Sequence, residues 1–174
     1  MPAPLLWLGA AVAGLYATNK ANEGYLKSKS VVGCFPGESN FKVTPIDGAI
    51  VCCGIFGVLD HTGIWVDGKI IELNGNGLVR AISSERFLEN RSGEEIYIAC
   101  DDAFNVMASK STVERCIANL YSYKEYDVIS NNCHRFVAES VTGNACDITS
   151  FSDLNRYLSL FFNAAIHWNK LKTL

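Results

Sequence analysis

Asp67-Gly68 is the strongest short turn signal in this chain of 174 residues. It stands between Thr62–Val66 and Lys69–Leu73, two runs rich in β-branched and aromatic residues, so the segment reads as a β-hairpin with a two-residue turn. A two-residue turn fixes register, and register fixes which side chains share a face. The hairpin therefore sets His61, at the start of its first strand, within reach of Glu72 on its second. A carboxylate there can fix the tautomer of the imidazole.

Strand signals continue on both sides. Ala49–Cys53 is an apolar run after the Asp47-Gly48 turn, and Leu78–Ile82 follows the glycine-asparagine segment 74–77. Glu95–Cys100 is a further strand. Between them, Ser83-Ser84-Glu85 caps a helical turn reaching Asn90. Ser111-Thr112-Val113-Glu114 is a capping box that opens a helix with Val113, Cys116, Ile117 and Leu120 on one face. A second helix starts near Cys133, with Phe136, Val137, Ser140 and Val141 at helical spacing. Ser152-Asp153 caps a last helix whose apolar residues are Leu154, Tyr157, Leu158, Phe161, Ala165 and Trp168. A hairpin-rich antiparallel sheet followed by helices is an α+β pattern.

The ends are set apart by composition. Residues 1–20 form an apolar helix, 21–44 a polar, turn-rich linker, 45–150 the main domain, and 151–174 a C-terminal amphipathic helix. Pro4–Ala17 is short of the roughly twenty residues that span a bilayer. Three readings stay open for it. It packs on the domain, or its small residues at Gly9/Ala13 and Ala10/Gly14 admit a second helix in a membrane or oligomer. As a cleaved signal it lacks a basic start.

A formal net charge of −3 with no long Lys/Arg run excludes nucleic acid as the expected partner. The seven cysteines include no C-x-x-C pair. Cys52 and Cys53, adjacent in a strand, point to opposite faces. This usage fits a reduced, cytoplasmic setting, and the His and Cys spacings match no usual zinc pattern. No metal and no cofactor are expected.

The chemistry concentrates at Asn131-Asn132-Cys133-His134-Arg135-Phe136. A helix N-terminus carries unpaired N–H groups and partial positive charge, which favour a thiolate over a thiol. A cysteine so placed and a distant histidine are the minimum parts of a thiol nucleophile with its base. Cys133 is the candidate nucleophile, His61 the base and Glu72 the third member. Asn132, Asp60 and Trp65 are the candidate substrate or oxyanion contacts. His134 lies about 100° around the helix from its neighbour, so its side chain is expected to point away from the thiol and to pack, cap or face solvent. His167, on the last helix, is expected to be incidental.

The run Lys124-Glu125-Tyr126-Asp127-Val128-Ile129-Ser130-Asn131-Asn132-Cys133-His134-Arg135-Phe136-Val137 resembles the nucleophile segment of the lecithin retinol acyltransferase-like family. Residues 45–51 and 60–73 resemble its histidine hairpin. The resemblance covers roughly residues 45–142. It implies a permuted papain-like, NlpC-type fold, an antiparallel sheet packed against helices; the extra N- and C-terminal helices expected from composition and spacing lie outside the resemblance. It also implies Cys133 as nucleophile, His61 as general base and Glu72 as the group orienting the imidazole. Glu72 stands where many members carry a second histidine, and His134-Arg135 replaces the usual Glu-His after the nucleophile. The implied activity is thiol-dependent acyl transfer or hydrolysis through a thioester. An acyl lipid is the favoured substrate and a membrane surface the associated partner. The alternatives are a peptidase or amidase of the NlpC type, and a catalytically silent membrane-associated module.

Overall fold

The computed structural model describes residues 3–55, 57, 59–128 and 130–172, with side chains from Tyr16 onward. The order is α1 (Ala3–Ser28), β1 (Val32–Cys34), β2 (Lys42–Val43), β3 (Ile50–Ile55), β4 (Leu59–Val66), β5 (Lys69–Leu73), β6 (Val79–Ile82), α2 (Ser84–Leu88), β7 (Tyr97–Cys100), α3 (Lys110–Asn119), α4 (Cys133–Thr142), α5 (Phe151–Phe162) and β8 (Ile166–Leu171). The fold is α+β, with one open, mostly antiparallel sheet packed with helices. Its strands run β1-β8-β7-β3-β4-β5-β6, and β2 also pairs with β8. Only the pairings of β1 and β2 with β8 are parallel.

The β4–β5 hairpin forms where its turn residues require. Asp67 and Gly68 both take positive φ, 47° and 69°, as the two central residues of a twist-compatible hairpin turn do. Val66 then faces Lys69, and Ile64 faces Ile71. Gly63 lies under the neighbouring strand, where a Cβ would come within 2.6 Å of Ile70 Cγ2 and 3.0 Å of the Ile71 carbonyl oxygen. Only glycine lets β4 and β5 approach so closely at this point.

Alternation along each strand divides the core in two. Ile50, Cys52, Ile64, Ile71, Leu73 and Trp168 face the layer that holds α4 and α5. Val51, Cys53, Trp65, Ile70 and Ile98 face the other side, where Phe87 of α2 covers them. Cys52 and Cys53 are thus buried on opposite faces of β3. Trp65 is a core residue. Its side chain packs four positions, about 13 Å of strand, from His61, which removes it from the substrate contacts.

Both ends of the chain depart from expectation. The helix does not stop at residue 20 but runs on to Ser28, and β1 and β2 lie within the segment expected as linker. Gly24 weakens a helix by about 1 kcal/mol. The complete burial of Leu26 outweighs that, at about 1.5–3 kcal/mol. Among the described residues, no helix is long and apolar enough to cross a membrane.

The last helix ends at Phe162, with Asn163 in the left-handed conformation at φ 52°, and residues 166–171 form a strand. Asparagine is one of the few residues that adopts that conformation readily. Trp168 recurs at helical spacing from Phe161 but belongs to β8, where the Trp168 indole N–H donates to Asn155 Oδ1 at 2.9 Å. His167 is likewise a strand residue. The capping residues sit two positions earlier than expected, at Ser109 and Ser150; Ser150 Oγ accepts from the Asp153 N–H at 3.0 Å. Residues 45–150 are therefore not a self-contained unit, because β1, β2 and β8 complete their sheet.

The docking of α1 can be tested by Leu26→Ala. Loss of this fully buried side chain is expected to lower stability by about 2–5 kcal/mol in chemical denaturation. A segment that behaves as a linker would show no measurable change.

Candidate active site

Cys133 owes its position to Asn132. The Asn132 backbone is extended, and Asn132 Oδ1 accepts from the N–H groups of His134 and Arg135 at 3.0 and 3.4 Å. Asn132 Nδ2 donates to the carbonyls of Val128 and Thr149 at 2.8 and 2.7 Å. This amide closes the helix start and ties it to two loops. With both ends so engaged, Asn132 positions the nucleophile and is not a free oxyanion donor. The other end of α4 closes on Gly143, in the left-handed region at φ 77°. Arg115 donates to the carbonyls of Ser140 and Val141, both at 2.6 Å. Cys133 is the first residue of the capped helix, at its positive pole.

The structure brings His61 and Glu72 to this point. His61 Nε2 lies 2.7 Å from Glu72 Oε2. That bond leaves Nδ1 as the nitrogen available to the sulfur. Glu72 is completely buried and is held on three sides. Arg80, directly opposite it on β6, donates from Nε and Nη2 to Oε1 at 2.9 and 2.8 Å. Arg91 donates from Nη2 to Oε2 at 2.9 Å. Arg91 also donates to the Phe87 carbonyl and lies over the Phe87 ring, against which the His61 ring tilts at 5.2 Å.

These contacts set the protonation states. Burial pushes the Glu72 carboxyl up, but the His61 hydrogen bond and charge, then Arg91 and Arg80, carry it down to about 2. Burial lowers His61, and the hydrogen bonds to Cys133 and Glu72 outweigh it, so the imidazolium is favoured. Burial raises Cys133, yet the charge and hydrogen bond of His134 and the hydrogen bond of His61 hold it well below an ordinary thiol. Other buried cysteines go the opposite way: burial raises Cys53 to about 12, and Cys100 and Cys116 to about 11. Asp60 is raised by burial to about 6, with His134 opposing; the charges of Glu23, Cys133 and Lys20 also act on it. It stands next to His61 on β4.

Of the places expected for His134, the structure shows packing inside the protein and not exposure to solvent. The side chain is buried, Nδ1 lies 3.2 Å from Thr62 Oγ1, and its ring lies 5.8 Å from that of Phe151. The reason is that α4 is enclosed on most of its circumference. Seven of its ten residues are buried, so a rotation of about 100° moves a side chain from one protein surface to another and not into solvent. Thr62, Arg80 and Arg91 were not singled out from sequence. Arg80 was reachable, since counting across the 74–77 turn sets it opposite Glu72. Arg91 comes from beyond α2 and carries no such signal.

Among the described residues, no group of three metal-ligating side chains converges. Comparisons with family models, curated proteins and solved structures give no match.

Because the Glu72 value falls from an ordinary 4.5 to about 2 on folding, its ion pairs stabilise the fold fully above pH 4.5 and lose that effect as pH falls towards 2. The interval corresponds to about 3 kcal/mol. Glu72→Gln is expected to flatten the acid limb of the stability-versus-pH curve between those limits. It should also destabilise the protein at neutral pH by up to about 3 kcal/mol, since two half-buried guanidinium groups and the His61 ring lose their partner. A curve that keeps its wild-type acid slope would contradict the assignment.

Proposed function

We propose that the protein is a cysteine-dependent acyltransferase or hydrolase with a permuted papain-like arrangement of the lecithin retinol acyltransferase type. The observation that carries this reading is a buried cysteine at a capped helix start, together with an imidazole held at 2.7 Å by a completely buried carboxylate; the influence of the two histidines lowers the thiol. Nucleophile, base and orienting group are then in the order that thiol catalysis requires.

In the first half-reaction the Cys133 thiolate attacks the carbonyl carbon of an ester. A C–S bond forms, and negative charge moves to the carbonyl oxygen, where the Cys133 backbone N–H stabilises it. The intermediate collapses, the C–O bond breaks, and His61 delivers its proton to the departing alkoxide. The acyl group rests as a thioester. In the second half, His61 takes a proton from water or an acceptor alcohol or amine, which attacks the thioester and restores the thiolate. Glu72 keeps the imidazole in one orientation through both halves. Arg80 and Arg91 keep Glu72 ionised.

An acyl lipid is the substrate class we favour. Tyr121, Tyr123 and Val128 are 76, 74 and 66% exposed, and all three lie in the segment leading to Cys133. Exposed apolar side chains of this kind suit contact with an acyl chain. A membrane surface presenting such lipids is the matching partner.

Incubation with phospholipid should leave an acyl mass on wild-type Cys133, visible by intact-protein mass spectrometry, and none on Cys133→Ala. His61→Ala should slow thioester formation by about 10²–10⁴-fold, the usual contribution of a positioned acid–base group. Acyl transfer from peptide amides but not from lipids would retain the chemistry and overturn the substrate class. No adduct with any acyl donor would overturn the enzyme reading.

A further inference from the structure

The two arginines on Glu72 do not bind it alike. Arg80 donates twice to Oε1, at 2.9 and 2.8 Å. Arg91 donates at 2.9 Å to Oε2, the same oxygen that lies 2.7 Å from His61 Nε2. We propose that Arg91 is a positioning residue for acid–base transfer: by sharing one oxygen of Glu72 with His61, it sets how firmly the imidazole holds its proton, while Arg80 anchors the carboxylate. The inference deepens the function proposed above and rests on His61 acting as the general acid and base.

Sharing an oxygen has a direct electrostatic consequence. A carboxylate oxygen that already accepts from a guanidinium has less negative charge to offer an imidazolium. The two cationic nitrogens, bound to one atom, also stand less than about 6 Å apart, within the range where like charges repel. Both effects disfavour the imidazolium and loosen the proton it carries on Nδ1. Arg91 is 13% exposed and Arg80 28%, so water screens the second more than the first. Burial lowers His61 most; Cys133 and Glu72 raise it, and the Arg91 charge lowers it again. A buried carboxylate with no such competitor would hold the imidazolium too firmly for it to protonate a leaving group. Acid–base transfer is most efficient when the group titrates near the working pH.

Arg91 is held to this task from behind. Arg91 Nη1 donates to the Phe87 carbonyl, and the guanidinium lies 5.0 Å from the centre of the Phe87 ring, against which the His61 ring packs at 5.2 Å. The loop that carries it is clasped to the end of β3. The Gly93 N–H donates to the Gly54 carbonyl at 3.0 Å, and a Cβ on Gly93 would come within 2.8 Å of the Gly54 nitrogen and 2.9 Å of its oxygen. Only glycine closes that clasp, two residues from Arg91. Other titratable groups also face His61. Cys133 acts from α4, where His134 follows it, and Asp60 adjoins it on β4 and titrates near 6. Cys53, its register partner on β3, is pushed to about 12 by burial and stays a thiol.

The test is an NMR titration of the three histidine rings in isotope-labelled, full-length protein. The protein carries Cys133→Ser and Asp60→Asn, so that neither neighbour titrates across the same range, and His61→Gln assigns the signal. Arg91→Gln should raise the His61 midpoint by about one pH unit, the effect of removing a nearby like charge. Arg80→Gln should raise it clearly less. Arg91→Lys, which restores the charge, should bring the midpoint most of the way back. Gly93→Ala keeps every charge but opens the clasp; it should raise the midpoint in the same direction, and it carries the test if Arg91→Gln does not fold. With Cys133 and Asp60 intact, the acid limb of the acyl-transfer profile should move to higher pH in Arg91→Gln, because His61 must be neutral to take a proton from the acceptor. A wild-type midpoint in both Arg91→Gln and Gly93→Ala, or an equal rise in Arg80→Gln, would overturn the inference. The expected midpoints without acyl transfer by the wild-type protein would uphold the hold of Arg91 on the His61 proton and overturn the proposed function instead.

Discussion

Glu72 is the constraint on which the rest of the site depends. A carboxylate with no exposure to water must be compensated where it stands, and here one histidine and two arginines surround it. The two guanidinium groups come from different elements, one from β6 and one from the segment after α2. The ion cluster therefore joins the hairpin, the next strand and the following loop into one unit. Breaking such a cluster leaves uncompensated charge in the interior, which is why its members are not free to drift. The imidazole of His61 inherits that rigidity.

The thiol side is built on a different principle. There the precision comes from backbone groups. Asn132 spends both ends of its amide on the helix start and two neighbouring loops, and Arg115 closes the carbonyls at the far end. The axis of α4 is thus fixed at both termini, and its positive pole is directed at the sulfur. Charge on β5 and capping on α4 come together at His61 and Cys133, where the imidazole is raised and the thiol lowered. Each half can be perturbed separately, which makes the chemistry open to dissection.

How much of this could be read from the chain differs by region. The hairpin was legible because Asp67-Gly68 has one dominant use and a two-residue turn leaves no freedom of register. Cys133, His61 and Glu72 follow from it and from the Asn132 cap. Whether His134 packs or faces solvent was not legible, because a rotation per residue says nothing about what surrounds the helix. Trp65 and Asn132 were assigned to substrate by adjacency alone, while their own packing and hydrogen bonds claim them. The last segment was misread because Trp168 satisfies helical spacing from Phe161 and strand alternation from Ile166. Asn163, which settles the matter by turning left-handed, does so only weakly in sequence. Leu26 shows the opposite failure: its polar, glycine-containing surroundings hid an anchor of the core.

The position of β8 has a consequence for how the protein is made. It is the latest of the strands in chain order, yet it lies between β1 and β7, flanked by partners on both edges. On a ribosome, the early strand Val32–Cys34 waits for residues more than a hundred positions later before its ladder can form. Until Ile166–Leu171 emerges, both neighbours present bare backbone edges, which are templates for pairing with other chains. Such long-range closure is slow, so those two edges stay open to wrong pairing until the last strand arrives.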